Sequence, residues 1–223
     1  LPTKTEQSDL MQALYGRNGE SPAVVIASST PANCFDWAYL ASKITLEHNT
    51  PVVLLSDGYL ANGAEPWKIK STDDLPDIKP YTAVEGDDYY PYLRDPSTLA
   101  RKLAIPGTKG LEHRIGGLEK EDITGNVSYD PKNHEKMVNI RKEKIFRISN
   151  FIPLQEVFGK KEGDLLVVGW GGTYGSLFSV VDELYKERFS IGLCHFNYIN
   201  PLPKNVKSIF SKFKKIIVCE LNS

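Results

Sequence analysis

No apolar run in these 223 residues approaches the ~20 that a membrane-crossing helix requires, so no membrane contact is expected. Excess charge is lacking too: 27 basic against 28 acidic residues leave a net charge of −1. That balance supplies no electrostatic footprint for nucleic acid or an anionic lipid surface. Cysteine is scarce. Cys34, Cys194 and Cys219 are far apart, and no C-x-x-C occurs, so neither a zinc site nor a cysteine-ligated cluster is encoded. Each lies in an apolar stretch, the setting of a buried, reduced thiol, which points to the cytoplasm. A GxxxxGK[ST] phosphate loop is missing, and no Ser-His-Asp set follows from spacing. No metal ligand set is predicted. The chain opens Leu1-Pro2 without an initiator Met or signal peptide, and closes just after a strand-like run. The expectation is a fragment of a longer polypeptide.

Apolar residues make up 41% of the chain, enough for a real core. Thr3 and Glu6 form a capping-box pattern that predicts a helix to about Tyr15. A strand at 23–27 (AVVIA), a helix from the Ser28-Ser29-Thr30-Pro31 turn to about His48, and a strand at 51–56 follow. The strand runs do not alternate, as expected of a parallel sheet covered on both faces. Working groups of such sheets gather at the strand carboxyl ends. This singles out Ser28, Ser29, Thr30 and the Asp57-Gly58-Tyr59-Leu60-Ala61-Asn62-Gly63 turn. Residues 64–110 read as a long ordered excursion, with Glu85, Asp87 and Asp88 as a solvated acidic turn. A helix is predicted from Lys132 to about Ser149, with Met137, Ile140, Ile145 and Ile148 inward and its lysines and arginines outward. From about Ile152 a second unit begins: strands at 164–170, 190–196 and 215–220, and helices to about Glu187 and over 203–213. It reads as a three-stranded parallel sheet.

Between the halves lies 111–129 (LEHRIGGLEKEDITGNVSY), too rich in Ile and Leu for a plain linker. It is either an ordered surface connection or a wall of a shared site. Gly169-Trp170-Gly171-Gly172-Thr173-Tyr174-Gly175 follows a strand and opens a helix, which invites a dinucleotide reading. The next strand ends Cys194-His195-Phe196, without the acidic residue that holds a ribose. Tight strand-to-helix packing is the better account, with room for an anion or partner at the helix N-terminus. Of four histidines, His48, His134 and His195 read as structural, and His113, between Glu112 and Arg114, as the one in a plausible site. Asp57-Gly58 followed by Asn62 is too short for a thiamine diphosphate–magnesium motif, so another chain would have to supply a diphosphate site.

Several blocks together carry a family resemblance: LPTKTEQSDL, DGYLANG-x-EPW, YLRD, IPGT-x-GLEHRIGGLEKED-x-TGNVSYDP-x-NH-x-KMV, VGWG-x-TYG and NPLPKN. Over essentially its whole length the chain resembles the α subunit of 2-oxoacid:ferredoxin oxidoreductases, most of all the 2-oxoglutarate (KorA-type) branch, lacking the N-terminal part. The resemblance implies an α/β fold. Residues 1–130 would be the C-terminal part of a pyrimidine-side thiamine diphosphate domain, 131–151 a connecting helix, and 152–223 an incomplete transketolase C-terminal-like αβα domain.

The implied reaction is oxidative decarboxylation of 2-oxoglutarate to succinyl-coenzyme A with electrons passed to ferredoxin. Pyruvate, branched-chain or aryl 2-oxoacids are the alternative substrates, and a non-catalytic nucleotide-binding or assembly module the alternative role. Thiamine diphosphate would be shared with a β subunit that holds the magnesium and the iron–sulfur cluster, with coenzyme A as co-substrate. No catalytic residue is assigned to this chain. Thr3 is a candidate for 2-oxoacid contact, or a plain helix cap, and the two roles are compatible. Arg114 is a candidate for a substrate carboxylate, or for a structural salt bridge. His113, Glu119, Lys120, Asp57 and Asn62 are candidates for cofactor binding or the subunit interface.

Overall fold

In the computed structural model, residues 8–221 are described, so the capping box at Thr3 lies outside the described residues. Helix α1 spans Ser8–Tyr15, followed by β1 (Val24–Ala27), α2 (Asn33–His48), β2 (Val52–Leu55) and α3 (Gly58–Asn62). After the excursion come α4 (Pro131–Arg147), β3 (Phe158–Gly159), β4 (Gly163–Trp170) and α5 (Tyr174–Lys186). The described chain closes with β5 (Ile191–Phe196), β6 (Tyr198–Asn200), α6 (Val206–Phe210) and β7 (Phe213–Val218). Between α3 and α4 the only regular element is a single 3-10 turn, Thr72–Asp74, and isolated bridges such as Thr82–Leu103 and Arg94–Arg101 tie the later part of the stretch together.

Two sheets form. β1 and β2 pair in parallel, Val24 opposite Val52, as the non-alternating runs predict. The second sheet has the order β3-β5-β4-β7, with β5, β4 and β7 parallel. It is larger than expected, because Phe158–Gly159 adds an antiparallel edge to β5. A second departure is β6. Directly after β5 the chain leaves its own sheet and pairs antiparallel with β1, Ile26 opposite Tyr198. The two sheets are thereby joined through one continuous stretch of backbone. The helix expected over 203–213 contracts to α6, and β7 starts two residues earlier than expected.

Packing follows the side-chain alternation of strands. Leu166 and Val168 of β4 face one way, into a cluster with Val206, Ile209 and Phe213. Val167 faces the other way, toward Val181 on α5 with Ile191 and Leu193. In the first sheet Val24 and Ile26 pack with Ile44 on α2, Ile145 and Ile148 at the end of α4, and Tyr198 of β6.

The outward placement of basic residues on α4 needs one correction. Lys144 is turned inward, 8% exposed, and donates to the Asn49 carbonyl at 2.6 Å. It is drawn in because that carbonyl follows the C-terminal end of α2, where a cation is favoured.

Candidate functional site

Both sheets bring their strand carboxyl ends to one seam. On the first side the chain leaves β1 through Ser28, Ser29 and Thr30. Thr30 and Asn33 bond reciprocally, Asn33 N–H to Thr30 Oγ1 at 3.3 Å, and Thr30 and Ser29 N–H to Asn33 Oδ1 at 3.1 Å each. This is the logic of a capping box, built with Asn in place of Glu. Glu65 supplies a further cap, accepting from the Ala32 N–H at 2.8 Å, and Trp67 packs on Phe35 with ring centroids 5.3 Å apart. The Glu-Pro-Trp block therefore seals the start of α2.

Asp57 holds the seam together. Its Oδ1 caps α3, accepting from Leu60 N–H at 2.9 Å. Its Oδ2 accepts from the N–H of Gly172 in the second unit at 3.1 Å. The approach is so close that a Cβ on Gly172 would stand 2.2 Å from Oδ2. Gly169 is required for a related reason, since a Cβ there would lie 2.3 Å from Leu177 Cδ1 on α5. The glycine-rich block thus packs strand on helix, as its sequence suggested, and the anion at its turn is the chain's own Asp57. Asn197 makes the second tie, its Nδ2 donating to Ala27 O at 2.8 Å and Ser29 Oγ at 3.2 Å.

His195 lies in the same seam. Burial pushes its pKa down to about 4, so the imidazole is neutral, 3.5 Å from Thr173 Oγ1. A groove of about 590 Å³ opens beside it, with Trp37, Gln155, Phe178 and Asn197 among its walls. Ser28, 1% exposed, has a buried hydroxyl with no hydrogen-bond partner among the described residues.

The sequence-derived candidates fall into separate places. Asp57 is at the seam, and Asn62 is close by, donating to Gly58 O at 2.7 Å within its own turn. Glu119 and Lys120 are elsewhere. They line a second cavity with Ser21, Pro22, Asn49 and Pro51, the residues that lead into β1 and β2. That is the opposite edge of the sheet, roughly 13 Å away along four-residue strands. Lys120 is 2% exposed and donates to the carbonyls of Gly116 and Leu118. Glu119 bonds His134 Nδ1 at 2.7 Å and Arg141 at 3.3 Å. Burial alone would raise its pKa, but His134 and Arg141 outweigh it and hold the carboxyl below its usual value. His113 Nδ1 is 2.8 Å from Leu111 O, and its ring meets Tyr89. Arg114 is exposed and pairs with no carboxylate among the described residues. In the acidic turn Asp87 is taken up by Lys102 at 2.9 Å and by the Val84 N–H. Asn33, Asn197 and Glu65 were not anticipated. The T-P-A-N spacing could have revealed Asn33, whereas nothing local marks Asn197.

Two α/β sheets meeting at their strand carboxyl ends define the class of protein that works at such an edge. Residues 1–130 match the family described as "Pyruvate flavodoxin/ferredoxin oxidoreductase, thiamine diP-bdg", and the chain belongs to that family. It is 47% identical over all 223 residues to the 2-oxoglutarate oxidoreductase subunit KorA of Mycobacterium tuberculosis, of which it covers 34%. It is 27% identical over 97% of its length to the 2-oxoacid:ferredoxin oxidoreductase subunit alpha of Saccharolobus solfataricus, covering 35% of that protein. The chain spans about a third of the length of these curated relatives. Among solved structures it resembles the 2-oxoglutarate:ferredoxin oxidoreductase from Magnetococcus marinus with 2-oxoglutarate, coenzyme A and succinyl-CoA bound. The TM-score is 0.88 at 29% identity, covering 100% of this chain and 39% of that one. The α/β fold and the family resemblance read from the sequence are both borne out.

The matched family is described as thiamine diphosphate-binding, and one buried polar group of this chain is free to meet a cofactor. Ser28 Oγ, buried and unpartnered at the end of β1, suits a polar cofactor atom. Among the described residues no three His, Cys, Asp or Glu side chains gather to hold a metal. No helix among the described residues is long and apolar enough to cross a membrane.

Proposed function

We propose that this chain is the α-subunit portion of a cytoplasmic 2-oxoglutarate:ferredoxin oxidoreductase, which converts 2-oxoglutarate and coenzyme A to succinyl-coenzyme A and passes the electrons to ferredoxin. The observation that carries this reading is the 47% identity over all 223 residues to a 2-oxoglutarate oxidoreductase subunit. Thiamine diphosphate, when bound, supplies the chemistry that splits carbon dioxide from the 2-oxoacid. This chain contributes the pyrimidine-side wall, with Ser28 and the Asp57–Gly172 tie holding the edge in place. A β subunit supplies the diphosphate site, the magnesium and the iron–sulfur cluster.

The division of labour within the chain is 1–130 for the pyrimidine-side domain, 131–151 for the connecting helix and 152–223 for the transketolase C-terminal-like domain. Thr3 contacts the 2-oxoacid. Arg114, exposed and without a carboxylate partner, offers its guanidinium to a carboxylate arriving from outside the chain. His113, Glu119 and Lys120 stabilise the loop that meets the β subunit, and Asp57 and Asn62 shape the cofactor edge.

Subunit complementation tests this. The chain alone is expected to show no 2-oxoglutarate-dependent reduction of a viologen dye in the presence of thiamine diphosphate, magnesium and coenzyme A. The complete α polypeptide with its β subunit is expected to restore it. Turnover by the isolated 223-residue chain would overturn the division of the site between subunits.

A further inference from the structure

The second edge of the first sheet gathers a different chemistry from the seam. A cavity of about 530 Å³ lies where β1 and β2 begin, beneath the 115–120 loop and against α4. Arg94, Arg101, Lys120, Arg141 and Lys144 all line it. Two carboxylates line it as well, Glu20 and Glu119, and both are engaged by Arg141. Asp122, which also acts on Arg94, is paired with Lys136 at 2.7 Å.

That leaves four cations with no carboxylate of their own among the described residues. Lys144 reaches Asn49 O, and Lys120 reaches two loop carbonyls. Arg101 donates to Pro91 O at 3.2 Å and lies over the Tyr92 ring at 4.3 Å. Arg94 donates to Leu99 O at 3.3 Å, and its Nε is buried with no acceptor among the described residues. Burial, together with Arg101 and Arg94, pushes Lys144 down to about 7. Five cations against two carboxylates leave the cavity short of counter-charge, and such crowding opposes folding until an anion completes the set.

We propose that this cavity binds a phosphate-type polyanion. Arg94 and Arg101 from the excursion, Lys120 from the 115–120 loop and Lys144 from α4 all line the cavity, so donors are offered by several elements. That suits a tetrahedral, multiply charged oxyanion better than a planar carboxylate. The volume falls within the range of small-ligand sites. The position, on the opposite edge from Asp57, makes the site independent of the thiamine seam, so its loss leaves the functional reading untouched.

Thermal unfolding of the full chain with pyrophosphate, ADP or succinate, each up to about 10 mM, tests the site through ligand-linked stability. Pyrophosphate or ADP is expected to raise the Tm at low salt, less so at high salt, and succinate to act far more weakly. A larger response to ADP assigns a nucleotide-borne phosphate, and an equal or larger response to pyrophosphate a free one. Arg101→Gln and Lys144→Met are each expected to weaken the response about tenfold in ligand concentration. Lys144→Met keeps the test decisive if Arg101→Gln does not fold, because it removes a buried charge and keeps the stem. No rise with either phosphate, an equal rise in Lys144→Met, or an equal response to succinate overturns the proposal.

Discussion

Gly172→Ala is expected to destabilise the chain by about 2 kcal/mol, lowering the Tm by roughly 4–8 °C for a chain of this size. The new Cβ would stand 2.2 Å from Asp57 Oδ2 and 3.0 Å from its Cγ. The carboxylate cannot simply swing aside, because its other oxygen caps α3 at Leu60. Moving it costs a helix cap, worth about 1 kcal/mol, and the hydrogen bond from Gly172. Gly175→Ala, three residues on in α5, is the control. A Cβ there meets nothing within 4 Å, so alanine should be neutral or stabilise by up to about 1 kcal/mol. The two sites on either side of the seam should also couple. Once Asp57→Ala has removed the obstacle, adding Gly172→Ala should cost little more, a departure from additivity that a double-mutant cycle measures. Equal melting of Gly172→Ala and Gly175→Ala would contradict the docking described here.

Lys144→Met is expected to stabilise the chain by roughly 1–4 kcal/mol near pH 6, and by progressively less toward pH 10. Lys144 is 8% exposed, with one protein acceptor and two arginines acting on it. Burial first, then Arg101 and Arg94, lower its pKa from 10.5 to about 7 in the folded chain. Between those values the unfolded chain binds the extra proton, so wild-type stability rises with pH across that window. Below about pH 7 both states are charged and the full penalty is present. Methionine keeps the apolar stem and removes the charge, so its advantage is greatest there and fades as the folded lysine loses its proton. Denaturant unfolding at several pH values measures this. A pH-independent loss of stability in Lys144→Met would mean that the bond to Asn49 outweighs the buried charge.

Much of the architecture could be read along the chain because the central strands β1 and β4 carry short, buried runs of aliphatic residues. Val24–Ala27 and Leu166–Val168 are almost fully enclosed, and their composition reflects that. The glycines at 169 and 172 likewise announce close approach, since only a missing Cβ permits it. What stayed hidden depends on partners far away in sequence. Tyr198–Asn200 carries no strand signature of its own, yet it pairs with β1 some 170 residues earlier. Asp57 and Gly172 each stood out alone, but neither predicts the other, 115 residues away. On α4 Lys144 obeys the rule for an outward face until the end of α2 offers it a carbonyl. The segment around Glu119 and Lys120 was legible as more than a linker. Its place, on the edge where β1 and β2 begin, followed only from the packing of the excursion and α4 around it.

The 2-oxoacid preference of the reconstituted α–β complex tests the functional account most directly. Dye reduction in the presence of coenzyme A is measured with 2-oxoglutarate, pyruvate, a branched-chain and an aryl 2-oxoacid. The expected result is a kcat/KM for 2-oxoglutarate at least ~10-fold above each of the others, the discrimination available from ~1.4 kcal/mol at one added carboxylate contact. A complex that turns over pyruvate or an apolar 2-oxoacid better than 2-oxoglutarate would contradict it.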